Sequence, residues 1–364
     1  MKHLPALDGL RAFAILTVAS SHILTPLIPG GYGVTVFFFI SGFIITRMML
    51  AQDFQRRNAK AFYVRRFFRL APALFVFIAI SGATMYALGH PIPVRDYLAT
   101  LFYYANYHDY TAPLGGHSAL GVTWSLAVEE HFYFVFPALF IFARRNLAKY
   151  LLAVIVGAVL WRCVLVFGWH VPTNRTYFAT DTRLDSIAWG CLLSVMIDRR
   201  SALLDWMSGR VAIALAVAVT LATFLIRGDQ FRETIRYSLQ GVALMPVFCA
   251  LFWTPDSKNI VRTILESRAA VFIGNISYSL YLYHFLALAS AEIIFPESVE
   301  LKVFAGVMGL VGAIASYYLV ENPVRKFGSK LAKSLDGRAP EHADAPAAPA
   351  PQDVPAGLVS RTPD

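Results

Sequence analysis

Apolar runs long enough to cross a bilayer recur along this chain, and no other feature restricts its fold as much. Ten such segments fall near residues 9–28, 33–51, 70–88, 124–143, 150–168, 184–198, 211–227, 236–253, 270–289 and 301–320. A helix rises about 1.5 Å per residue, so roughly 20 residues span the ~30 Å of bilayer hydrocarbon. Most of the segments reach that length, and 184–198 is short. The stretch from Tyr97 to Tyr107 is too short to span and reads as a re-entrant or interfacial piece. Without water to satisfy it, a backbone in hydrocarbon must close its own hydrogen bonds, which repeated helices do. The expected fold is all-α: a polytopic membrane bundle of about ten transmembrane helices.

Composition agrees with the segments. Only 15% of the 364 residues are charged and mean hydropathy is +0.54, against about a quarter charged in soluble domains. The 14% aromatic content suits lipid-facing helices and interfacial belts. The net charge of +9 does not point to nucleic acid, because the basic residues sit in loops between apolar runs. One set of loops carries Arg56, Arg57, Lys60, Arg65, Arg66 and Arg69, then Arg144, Arg145 and Lys149, then Arg199, Arg200 and Arg210, then Lys258, Arg262 and Arg268. The alternate loops hold Arg95, Arg175, Arg183, Arg227 and Arg232. The positive-inside rule then places both termini of this multi-pass chain in the cytoplasm.

Arg11 interrupts what would be the apolar core of a signal peptide, so the first segment reads as a retained helix. Cys163, Cys191 and Cys249 lie in apolar runs, show no disulfide or metal spacing, and read as small buried hydrophobes. No metal site is expected. Residues 1–328 form one integral membrane domain on this reading. Residues 329–364, rich in Ala and Pro, are expected to be a disordered cytoplasmic tail.

Three constellations stand out against the apolar background. Arg11 and His22 are eleven residues apart, so on a helix they share a face about 16 Å apart along the axis. Imidazole serves as a general base near neutral pH, and a guanidinium suits a phosphate or carboxylate. An interfacial arginine beside a packing histidine explains the same spacing. Next, Arg65, Arg66 and Arg69 enter the third segment, with Arg66 and Arg69 three apart on one face. They suit either a phosphate clamp or a topological anchor on anionic lipid. The third is Trp124, Ser125 and Leu126 followed by Glu129, Glu130 and His131. There a carboxylate could orient His22, or the glutamates could favour a helix N-terminus. Arg183 and Asp185 suggest a lumenal ion pair or a lining of the site. Tyr281 and His284 lie in the ninth segment and Glu321 ends the last one.

Taken in order, these pieces are more specific than any one of them. Leu7-Asp8-Gly9-Leu10-Arg11 with His22, Ser41-Gly42-Phe43, Arg65-Arg66-Phe67-Phe68-Arg69, Trp124-Ser125-Leu126 with Glu129, Arg183-Leu184-Asp185, Ser277-Tyr278-Ser279-Leu280-Tyr281 and Glu321-Asn322-Pro323 follow one another along the chain. The series resembles the acyltransferase-3 family of integral membrane acyltransferases, over roughly residues 5–328. The resemblance implies transfer of an acyl group, usually acetyl, from acyl-CoA to a sugar hydroxyl of a cell-surface glycan such as exopolysaccharide or lipopolysaccharide O-antigen. It implies no bound cofactor, acetyl-CoA being a substrate. Its key positions match Arg11, His22, Ser41, Gly42, Arg66, Arg69 and Glu129, while His131 stands where the family often has glutamine. Some members carry a fused periplasmic domain, and about 36 residues after Gly328 are too few for one.

On this reading acyl-CoA docks from the cytoplasm with its phosphates on Arg66 and Arg69, while Arg11 supplies a further anion contact. His22 deprotonates the acceptor hydroxyl or carries the acyl group itself, with Glu129 as its carboxylate partner. Expected partners are acyl-CoA, a glycan or lipid-linked sugar, membrane lipid and polysaccharide-assembly proteins. Two other classes share the pattern: a transporter or flippase for a lipid-linked sugar, and a non-catalytic member of a polysaccharide export complex. Acylation of a small glycosylated metabolite is a third outcome of the same chemistry.

Overall fold

The computed structural model describes residues 4–25, 27–111, 119–254, 260–295 and 299–335. Within them all regular structure is helical, and every apolar segment has become helix. The longer helices are α1 (Pro5–Ile23), α2 (Gly30–Ala51), α3 (Ala59–Ala87), α4 (Trp124–Ala143), α5 (Leu147–Cys163) and α6 (Thr180–Asp198). They continue with α7 (Arg210–Leu225), α8 (Arg236–Phe252), α9 (Ser277–Ile294), α10 (Val299–Ser316) and α11 (Asn322–Leu335). The 97–107 stretch falls on two short helices, Val94–Leu101 and Ala105–Thr111.

The count of membrane-capable helices is lower than the ten that hydropathy suggests. Among the described residues four continuous stretches are long and apolar enough: Gly30–Ala51, Arg56–Ala87, Gly121–Gly168 and Glu300–Leu335. A fifth is added if Arg268–Asn275 and Ser277–Ile294, bent by 70° at their junction, form one span. The physical reasons are specific. α4 and α5 run together through the turn Arg144–Asn146 and count once. α1 and α6 are diluted by Asp8 and Arg11 and by Asp181, Arg183 and Asp185. α7 and α8 are short, at 16 and 17 residues.

Packing centres on α2, which lies against α1 and α6. A methyl group at Gly42 would collide with the Ile187 carbonyl of α6, and one at Gly190 with the Phe39 carbonyl of α2. These two glycines bring the helix backbones together, as small residues do between membrane helices. α1 also packs on α9, α9 on α10, and α6 on α5 and α8. α11 lies on α3, with Gly328 against Phe68 and Ala332 buried, while Lys326, Lys330 and Lys333 point outward. That helix runs on beyond residue 328, and residues 336–364 of the expected tail lie outside the described residues. Cys191 and Cys249 are buried and Cys163 half-buried, all as free thiols.

Candidate active site

A cavity of about 310 Å³ opens between α1, α2, α3, α4, α9 and α11. Its rim is basic: Arg11, Arg65, Arg66, Arg69 and Arg325 all contribute. Its lining also includes Val34, Phe37, Ser125, Leu126 and Tyr281. The position of Arg66 and Arg69 one turn apart on α3 carries both side chains to this one space, as their spacing implied. Among the described residues Arg69 has no hydrogen bond and no ion pair, so its donors are available to an anion.

Arg66 is engaged differently. Its guanidinium lies 3.2 Å from the Glu130 carboxylate, 3.6 Å from that of Glu129, and 3.2 Å from the centre of the Tyr133 ring. Ser41 donates to Glu129 Oε1 at 3.1 Å and the Tyr133 hydroxyl to Oε2 at 3.4 Å. Glu129 is therefore a half-buried acceptor held by Ser41, Tyr133 and Arg66 at the cavity wall. No hydrogen bond or ion pair joins Glu129 to His22, so the expected carboxylate–histidine pairing is absent from this geometry. Arg66 and Tyr133 also wall off a second cavity of about 240 Å³, lined by Tyr63, Tyr103, Glu130, His131 and Phe134. His131 Nδ1 lies 2.7 Å from Thr180 Oγ1, which accepts from Asn106 at 2.9 Å, so His131 ties α4 to the start of α6.

His22 meets another histidine instead. Its Nδ1 is 3.0 Å from His284 Nε2, with the two ring planes 1° from parallel. His22 is exposed near the end of α1, whereas His284 is buried within α9. The pair is not part of the cavity lining. Tyr281, which is, stands one turn before His284 on α9, with ring centres 5.8 Å apart. The Tyr281 hydroxyl donates to the Val122 carbonyl at 3.1 Å, and Ser125 Oγ lies 2.7 Å from it. A basic cavity thus approaches the histidine pair from one end of α1 while His22 emerges at the other.

A family model for an acyltransferase domain, acyltransferase-3, matches residues 4–320, nearly all of the described helices. The chain belongs to the acyltransferase-3 family. O-acetyltransferase OatA of Staphylococcus aureus (strain NCTC 8325 / PS 47) is 29% identical over 357 residues, covering 90% of this chain and 58% of that protein. Peptidoglycan O-acetyltransferase OatA of Listeria monocytogenes serovar 1/2a is 29% identical over 360 residues, with 90% and 56% covered. The chain therefore spans under three fifths of these curated relatives. No solved structure matches.

Several positions through which the chain resembles the acyltransferase-3 family do not line the cavity. Trp124 is buried among Phe38, Tyr177 and Phe178. Glu321 is buried on a π-helical turn, Tyr317–Glu321, and accepts from Ser279 at 2.7 Å. Arg183 and Asp185 are buried but do not pair with each other. Asp185 accepts from Arg162 at 2.7 Å and from Ser238. Arg183 donates to Thr35 Oγ1 at 3.2 Å and stacks 3.9 Å above the Tyr237 ring. Helical geometry explains the correction: residues two apart point to different faces of α6. Arg162 was missed from the sequence because a lone arginine in an apolar run carries no spacing signal. Its other donors reach the carbonyls of Thr234, at 2.6 Å, and Thr182.

Proposed function

We propose that this protein is a membrane O-acyltransferase that moves an acetyl group from acetyl-CoA to a sugar hydroxyl of a cell-surface glycan. The observation that carries the reading is the basic cavity reaching toward the His22–His284 pair, with His22 exposed beyond it. Arg69 and Arg11 hold donor phosphates at the rim, and Arg66 shapes the entrance from its seat on Glu129, Glu130 and Tyr133. The pantetheine arm passes Ser125 and Tyr281, and His22 acts as general base on the acceptor hydroxyl. Its oxygen attacks the thioester carbonyl carbon, the C–S bond breaks, and the proton leaves with the CoA thiol.

The matching of ten apolar segments to helices α1–α10 supports a ten-helix passage across a bacterial inner membrane. The basic loops near the cavity rim support cytoplasmic termini and a cytoplasmic donor. A cell-wall glycan is the favoured acceptor class, because one relative is named a peptidoglycan O-acetyltransferase. Lipopolysaccharide O-antigen and exopolysaccharide present the same hydroxyl chemistry.

The test measures base-labile acetyl on surface glycan by mass spectrometry, comparing a deletion strain complemented with wild type or His22→Ala at matched membrane levels. Wild type should restore the ester and His22→Ala should not. Full acetylation with His22→Ala overturns the reading. Loss of the polymer itself in the deletion strain would favour a transporter.

A further inference from the structure

Hydrogen-bond direction along the histidine pair is fixed from one end. A backbone carbonyl only accepts, so His284 Nδ1, 2.9 Å from the Leu280 oxygen, carries a proton. His284 is buried, and among the described residues no carboxylate is bonded to it. A second proton would leave an uncompensated cation inside the bundle, at high cost. Its Nε2 therefore offers a lone pair. His22 Nδ1, 3.0 Å away, must then be the donor. A neutral imidazole with its proton on Nδ1 has its lone pair on Nε2.

We infer that His284 is a positioning residue: the chain from the Leu280 carbonyl through His284 to His22 Nδ1 fixes the tautomer in which His22 Nε2 is the base. The inference rests on the acyltransferase reading, and it names the atom that acts and the group that sets it. Nε2 takes the proton of the sugar hydroxyl as the oxygen bonds to the thioester carbon. The C–S bond breaks, and the imidazolium returns the proton to the departing CoA sulfur. Through these steps the His22 Nδ1–H keeps donating to His284 Nε2, which also steadies the positive charge on His22. The arrangement does without the carboxylate that commonly orients a catalytic histidine. It also accounts for the engagement of Glu129 elsewhere.

The experiment uses native membranes holding the full chain, with radiolabelled acetyl-CoA as donor and the endogenous glycan as acceptor. His284→Ala and His284→Asn should lower kcat by ~10²-fold or more, with KM for acetyl-CoA within about twofold of wild type. His284→Gln should recover at least about a tenth of wild-type kcat, because its Oε1 can stand where Nε2 stood and accept from His22. Equal kcat for Gln, Asn and Ala variants overturns the proposal, as does a loss carried by KM. If His22→Ala keeps full activity, the acyltransferase reading itself fails. If His22→Ala is inactive while His284→Ala equals wild type, only this inference fails. Should the variants not accumulate, ¹⁵N shifts of His22 in the labelled wild-type protein decide. A proton on Nδ1 supports the inference, and one on Nε2 overturns it.

Discussion

Two groups of arginines enter apolar helices in this protein, and they are built to opposite plans. Arg162 and Asp185 are both fully buried, and the arginine's remaining donors end on carbonyls and a hydroxyl of neighbouring elements. Neither lines either of the two cavities described above. Arg66 and Arg69 also sit among apolar helices, but both line an open cavity; Arg66 is held there by Glu129, Glu130 and Tyr133, whereas Arg69 makes no hydrogen bond or ion pair among the described residues. A closed arginine fastens helices, since an uncompensated charge there would be very costly. An open one keeps its donors for something that arrives. In the sequence both appear as arginine within or beside an apolar run, so the distinction lies wholly in what surrounds them.

The sharpest way to break this comparison is to open the closed pair. Arg162→Leu or Asp185→Leu alone should destabilise the fold by roughly 3–5 kcal/mol, because each strands the other charge. The double variant should recover much of that loss, and thermal unfolding in detergent measures both. If the single changes lower acetyl transfer while leaving the melting temperature intact, Arg162 belongs with the functional arginines instead.

The converse change, Arg69→Ala, should leave the melting temperature near wild type and raise KM for acetyl-CoA about 10- to 100-fold. That is the ~1.5–3 kcal/mol of a lost charge-assisted hydrogen bond. Unchanged donor affinity removes Arg69 from the donor site. Gly42→Ala should cost about 1–3 kcal/mol of stability through the clash with Ile187, with KM for the donor unaltered. Altered KM would show that α2 shifts the cavity wall when it moves.

The smallest effect is expected at the exposed pair of Asp53 and Arg144, in the connections after α2 and α4. The hydrogen bond from Arg144 holds the Asp53 carboxyl below the usual carboxylate range. Its lowered folded-state value means the contribution is present above the ordinary aspartate range and fades as pH falls through the folded value. Asp53→Asn should remove that shallow pH dependence from the melting temperature and leave acetyl transfer unchanged. A large loss of activity would draw this loop into the site.

Much of the site was legible as residues but not as contacts. Arg11, Ser41, Arg66, Arg69, Ser125, Glu129 and Tyr281 all reach one cavity, and their order along the chain had grouped them. His22 and His284 were each visible, 262 positions apart, with nothing in either local pattern to join them. Glu129 was matched to the wrong partner because adjacency to an apolar helix says nothing of which face looks at which neighbour. Arg183 and Asp185 looked like a pair because they are close in sequence, and the turn of α6 separates them.

The apolar segments and the scarcity of charge by themselves determined that the chain is helical and membrane-seeking, since burial in lipid leaves little other choice for a backbone. The order of polar residues along those segments determined the family. Only the packing of α1 against α9, and of α2 against α6, decided which charges close on each other, which stay open, and which nitrogen faces which. Those outcomes depend on helix rotation and crossing, which are set by contacts between distant segments and leave no periodicity in any one of them.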